Sequence, residues 1–271
     1  MDRRRTIGKR RGQKRSLPYA PPAYCQKATD GTNDRADAPD CRKIRRAFAP
    51  GAARKVNTVF SPDPHPIPAP GSFRLLTEAE RHASLQQSLA GWKADEDIWV
   101  YGYGSLIWRP EFEFTEKRDA LLHGYHRALC LWSRVNRGTP DQPGLVFGLD
   151  AGGSCRGMVY RIPACDVPGT MEALWRREMP SGAYIPKWLS CRTGHGLVTA
   201  LVFTMNRNTD AYVRGLPTER LIHIVRNAHG SYGPCVEYVL ETAQALKQSN
   251  IHDKRLQALV GELRSSLAGG A

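Results

Sequence analysis

Residues 144–162 read GLVFGLDAGGSCRGMVYRI. Two apolar runs flank Ala151-Gly152-Gly153-Ser154, a tetrapeptide with turn chemistry. Apolar runs on either side of a glycine pair predict a β-hairpin that turns at 151–154. Upstream, Leu121–Arg134 (LLHGYHRALCLWSR) is rich in aliphatic and aromatic residues and predicts a strand, as does Ile98–Tyr103. Downstream, Ala183–Cys191 and Leu197–Met205 predict two more. Between them, PGTMEALWRREM (168–179) carries Met171, Leu174, Trp175 and Glu178 at i, i+3, i+4 and i+7, the spacing of one helix face. An earlier helix is expected in LTEAERHASLQQSLAGW, where Thr77 and Glu80 form a capping box and Leu85, Leu89 and Trp92 recur at helical spacing. Gly91 weakens its end. Helices are expected again at 218–228, 236–249 and 253–267. Strands come first, mixed with one helix, and helices dominate the end. That order predicts an α+β fold with an antiparallel sheet or small barrel.

The chain has 271 residues and a net charge of +13, and 41% of its residues are hydrophobic, enough for a packed core. The charge is unevenly placed. Residues 1–74 hold 17 Lys and Arg against 6 Asp and Glu, which leaves the remainder at +2. A nucleic-acid argument from charge therefore applies to the first segment alone. That segment, residues 1–72, combines a basic arm (MDRRRTIGKRRGQKRS) with a proline-rich stretch (SPDPHPIPAPG) and no apolar periodicity. It is expected to be a disordered extension before a folded domain at 73–271. Seven cysteines, at 25, 41, 130, 155, 165, 191 and 235, are scattered without a Cys-x-x-Cys pair. They fit a reducing cytoplasm better than a disulfide framework or a zinc ribbon. No apolar run is long enough for a transmembrane helix, and no apolar signal segment lies near Met1.

Three segments are candidates for chemistry. The first is WVYGYGSLIW (99–108), a strand pattern interrupted by Gly102, Gly104 and Ser105. Glycine admits close approach of a ligand to the backbone, and successive amides in a turn form an anion site. The missing third glycine and the absence of Lys-Ser/Thr exclude dinucleotide and P-loop readings, leaving a carboxylate as the fitting ligand. A β-bulge with no ligand explains the same pattern. The second is Glu178, a carboxylate on an apolar helix stripe. Desolvation there makes a general acid or base, whereas pairing with Arg176 or Arg177 makes a structural salt bridge. The third is AHGSYGPCVEYVLET (228–242), where a glycine loop meets a helix start beside Tyr238. Cys130 and Cys155 read as core thiols. Cys235, near that helix start, is a position where a thiol pKa is lowered, although a core thiol is the simpler reading. The eight histidines form no metal-binding pattern.

The ordered segments VYGYGSLIW, GYHRALCLWSRVNRGTPDQPGLVFGL, GMVYRIP, LWRREMPSGAYIPKW and AHGSYGPCVEYVLET resemble the ChaC family of glutathione-specific γ-glutamylcyclotransferases. The resemblance spans about Trp99 to Tyr238 and has no counterpart for residues 1–72. It implies a small mixed or antiparallel β-barrel flanked by α-helices. It implies conversion of glutathione to 5-oxoproline and cysteinylglycine by attack of the substrate α-amine on its own γ-carbonyl, without metal or other cofactor. By the same resemblance Glu178 is the catalytic acid/base. Tyr101, Gly102, Tyr103, Gly104, Ser105 and Leu106 form the substrate loop, and Tyr238 lies near the substrate. Arg137 is a candidate for the glycine carboxylate of glutathione. The implied partner is glutathione itself, with no membrane and no nucleic acid unless through the basic extension. Two alternatives remain at this point. One is a cyclotransferase for other γ-glutamyl peptides or amines, and the other is a catalytically silent binding protein with a nucleic-acid-binding tail.

Overall fold

The computed structural model describes Ile67, Ala69 and residues 74–268. Apart from Ile67 and Ala69, the expected extension lies outside the described residues. Five strands close a barrel: β1 (Ile98–Gly102), β2 (Glu116–Ser133), β3 (Gly144–Ile162), β4 (Tyr184–Thr193) and β5 (Gly196–Met205), in the order β1-β3-β2-β4-β5. The ladders are antiparallel except where β1 meets β5 in parallel at Trp99↔Ala200 and Val100↔Leu201. That parallel contact closes the sheet and leaves no open edge. Around the barrel stand α1 (Glu78–Leu89), the single turn α2 (Ser105–Trp108), α3 (Val167–Glu178), α4 (Thr218–Asn227), α5 (Cys235–Gln248) and α6 (Lys254–Ala268). The Thr77–Glu80 capping box that starts α1 is formed.

The stretch 144–162 is not a hairpin. It is one strand, β3, and the long strand β2 runs beside it from Glu116↔Arg161 to Ser133↔Gly144. The connection that turns the chain is 134–143. Residues 151–154 sit mid-ladder, where Gly152 and Gly153 oppose the single Gly124 in a β-bulge. All three have positive φ, +102°, +76° and +85°. The glycine pair therefore bends two long strands together, which barrel closure needs, instead of reversing one of them. The local sequence signal is the same for both outcomes. A partner strand 18 residues long decides between them.

The apolar face of α3 lies against β1 and β5. Met171, Leu174 and Trp175 pack with Val100, Ile162, Leu201 and Phe203 in one buried cluster. Trp175 meets Phe203 edge-on, with centroids 5.3 Å apart. This packing fixes where the last residue of α3, Glu178, must point. A short bridge between Leu75 and Ser181, and the bond from Leu76 N–H to the Pro180 carbonyl at 2.9 Å, tie down the chain just beyond it.

Candidate active site

Glu178 continues the stripe of α3 and is 15% exposed at its side chain. Burial raises its pKa above the ordinary carboxyl value. The Arg177 guanidinium works against that shift and the charge of Glu111 adds to it. The expected salt bridge exists, with Arg177 Nε 3.0 Å from Glu178 Oε1. It does not outweigh burial, because Arg177 is shared. Its Nη1 donates to the Arg109 carbonyl at 2.6 Å, the Pro110 carbonyl at 3.2 Å and Glu111 at 3.0 Å. Its Nη2 donates to Ser105 Oγ at 2.9 Å. Arg177 thereby links the carboxylate to the glycine turn.

Three tyrosines surround the carboxylate. Tyr103, at the end of β1, and Tyr184, at the start of β4, interact with each other and with the Glu178 charge. Tyr238, on the first turn of α5, also feels Glu178. Burial holds all three phenols protonated, well above the usual tyrosine range. Tyr238 is positioned by backbone: the Phe147 N–H donates to its hydroxyl at 3.0 Å. Tyr184 donates to the Phe147 carbonyl at 3.4 Å. Both groups of one β3 residue thus orient two phenols beside one carboxylate.

The glycine turn reaches the same place. Gly104 packs so closely on Tyr238 that a Cβ there would stand 3.3 Å from its hydroxyl. Gly102 allows α2 to fold back, since a Cβ would meet Leu106 Cβ at 3.0 Å and the Tyr160 ring at 3.1 Å. No side chain caps the start of α2. The amides there have no helical partners of their own and are free to serve an anion.

Of the residues expected in the site, the structure brings Glu178, Tyr103, Gly104, Ser105 and Tyr238 together. Leu106 is buried in the α3 cluster and faces the turn through its backbone only. Gly102 pairs with Met158 in the ladder and acts by leaving room. The Tyr101 hydroxyl donates to the Cys155 carbonyl at 2.8 Å and its ring is fully buried, so its phenol is committed to the core. Arg137 is 6% exposed and stacks 5.5 Å from the Tyr238 ring, while its Nη1 donates to the Pro234 carbonyl at 3.2 Å. It supports Tyr238 from behind. Cys235 is the core thiol expected as the simpler reading: burial pushes it up to about 11, against the lowering effect of its contact with the Leu145 backbone. Sequence reasoning missed Tyr184 and the linking role of Arg177. Tyr184 follows Gly182 within LWRREMPSGAYIPKW, but nothing local marks it as facing inward.

Two open clefts, about 350 and 590 Å³, are each lined by Arg127 and Asp253 and by none of Glu178, Tyr103, Tyr184 or Tyr238. Hollow size and chemistry thus point to different places. A reaction requires a shifted carboxylate with protonated phenols beside it, and neither cleft holds one. Among the described residues no group of three or more His, Cys, Asp or Glu is placed to hold a metal ion. No described helix is long and apolar enough to cross a membrane.

A closed five-stranded barrel with a desolvated glutamate facing a Tyr-Gly-Ser turn defines a class of small barrel proteins whose site is set between sheet and helices. The family described as ChaC-like protein matches residues 98–266. The chain belongs to the ChaC family. It is 35% identical over 196 residues to a glutathione-specific γ-glutamylcyclotransferase of Escherichia coli (strain K12), covering 72% of this chain and 85% of that one. It is 28% identical to glutathione-specific γ-glutamylcyclotransferase 1 of Rattus norvegicus, covering 63% and 80%. A crystal structure of a glutathione-specific γ-glutamyl cyclotransferase from yeast superposes with a TM-score of 0.59 at 23% identity, covering 62% and 96%, which confirms the fold.

Proposed function

We propose that this protein is a glutathione-specific γ-glutamylcyclotransferase in which Glu178 moves the protons. The observation that carries the reading is a buried carboxylate with a raised pKa, incompletely neutralised by Arg177, facing the glycine turn. The substrate α-carboxylate sits on the amides of the Gly104–Leu106 turn. Glu178 takes a proton from the α-ammonium. The freed amine nitrogen attacks the γ-carbonyl carbon, the new ring C–N bond forms and the peptide C–N bond breaks. Glu178 passes that proton to the leaving nitrogen, then takes the second proton that the ring nitrogen must lose and passes it on, so that the lactam keeps one N–H and cysteinylglycine leaves as its ammonium. Atoms balance as 5-oxoproline and cysteinylglycine, with no water consumed. A carboxyl pKa moved toward neutrality suits both transfers. Holding amine and carbonyl at attack distance supplies much of the rate. The protonated phenol of Tyr238, whose hydroxyl only accepts from the Phe147 N–H, is a donor for the developing oxyanion, with Tyr103 and Tyr184 hydrogen-bonded beside it.

The five described cysteines are all free thiols, which supports a reducing cytoplasm as the site of action. The test is incubation of the full chain with glutathione, measuring 5-oxoproline and cysteinylglycine. Both products in equal amounts are expected. Release from γ-glutamyl amines but not from glutathione would move the reading to the alternative substrate class. No product from either would leave the binding-protein reading.

A further inference from the structure

Arg127 on β2 has a side chain only 2% exposed, and it makes three charged bonds. Its Nε donates to the Tyr103 carbonyl at 2.5 Å, its Nη2 to the Arg156 carbonyl at 2.6 Å and its Nη1 to Asp253 Oδ2. Asp253 stands at the head of α6, where its Oδ1 also accepts from the Leu256 N–H at 3.0 Å. A guanidinium that merely pinned α6 to the barrel would need Asp253 alone. Here one arm goes to the peptide that joins β1 to the glycine turn.

That peptide is trans, so its carbonyl and its N–H point in opposite directions. Clamping the Tyr103 oxygen from one side fixes the direction of the Gly104 N–H on the other. Gly104 there lies against the Tyr238 hydroxyl. The guanidinium charge also polarises the peptide and makes its hydrogen a stronger donor. We propose that Arg127, held by Asp253, is a positioning residue that aims the Gly104 N–H at the substrate α-carboxylate. The C-terminal helix thereby becomes part of substrate recognition. The inference rests on the γ-glutamylcyclotransferase reading of the glycine turn.

The test uses full-length Arg127→Lys and Asp253→Asn beside the wild type. Lysine keeps the charge but cannot fork over three acceptors. Two readouts are taken: steady-state kinetics with glutathione, and the Gly104 cross-peak in a ¹H–¹⁵N spectrum. For Arg127→Lys the KM for glutathione is expected to rise about tenfold or more with kcat within about threefold, since a lost charged hydrogen bond acts on a ground-state contact. The Gly104 cross-peak is expected to shift. Asp253→Asn is expected to move both in the same direction by less. A folded Arg127→Lys protein with unchanged KM and an unmoved cross-peak overturns the proposal, and so does a loss confined to kcat. If Arg127→Lys fails to fold, Asp253→Asn decides, because its amide oxygen still accepts from Arg127. If the wild type forms no 5-oxoproline, the functional reading has failed, and the cross-peak still decides whether Arg127 aims this amide.

Discussion

Glu178 and Arg127 are both charged and both largely withdrawn from water, at 15% and 2% side-chain exposure. Their surroundings differ. Arg127 has an acceptor for each arm, two carbonyls and a carboxylate. Glu178 has one shared guanidinium on one oxygen, a second carboxylate nearby and three phenols around it. A charge matched on every side is locked in place, and arginine does not lose its proton in a protein. A charge matched on one side is poised between two protonation states. The first arrangement suits scaffold, and the second is what a proton-transferring group requires.

Removing the poised charge should have the largest effect. Glu178→Gln is expected to lower kcat by about 10³-fold, or about 4 kcal/mol, the usual range for a general acid/base. In the wild type, kcat/KM should fall as pH drops through the raised Glu178 pKa, on a limb lying above the ordinary 4.5. The variant should lack that limb. Stability should move the other way. A carboxyl with a folded pKa above its unfolded value favours the protonated form when folded. Its contribution is fully present below about 4.5 and lost as pH rises through the folded pKa. Glu178→Gln should therefore melt higher than wild type at neutral pH, with the difference closing toward pH 4.5. An equal or lower melting temperature at neutral pH would break the contrast with Arg127.

Trp175→Ala attacks what aims the carboxylate. The ring is 2% exposed and packed edge-on against Phe203. Its removal leaves a core cavity and should cost about 4 kcal/mol, read as a lowered denaturant midpoint. Tyr238→Phe is milder. It strips the acceptor from the buried Phe147 N–H, at a cost of about 1–3 kcal/mol, and should slow turnover about tenfold by loosening one donor beside Glu178. Turnover unchanged in a stable Tyr238→Phe protein would restrict that residue to packing.

The poised side of the molecule was the more legible in sequence. Met171, Leu174, Trp175 and Glu178 declare both their helix and the odd carboxylate on its buried face, because helical period acts over seven residues. The glycine turn is equally local. Tyr184 and the partners of Arg127 are not, since they depend on which strands meet. Arg127 and Asp253 lie 126 residues apart. The mistaken hairpin at 151–154 has the same origin. Two glycines supply positive φ, and only the length of β2 tells whether the chain reverses or bends. Cys235 went the other way, since the core-thiol reading of an isolated cysteine held and the helix start beside it did not lower its pKa.

The bend gives the smallest effect and the sharpest sign. Gly124 has φ +85° and open space where a Cβ would go, whereas Gly91 has the same open space without positive φ. Packing therefore contributes nothing at either site, and backbone conformation decides. Gly124→Ala should destabilise by about 1 kcal/mol, the cost of a left-handed conformation for a residue with a Cβ. Gly91→Ala should stabilise by about 0.5 kcal/mol by reducing the freedom of the unfolded chain. Gly124 is on the scaffold strand that carries Arg127, and two residues separate them. If the Gly124 strain stays local, KM for glutathione remains at the wild-type value. If it propagates along β2, KM rises as it does for Arg127→Lys, and the glycine bulge then belongs to the same device that aims Gly104.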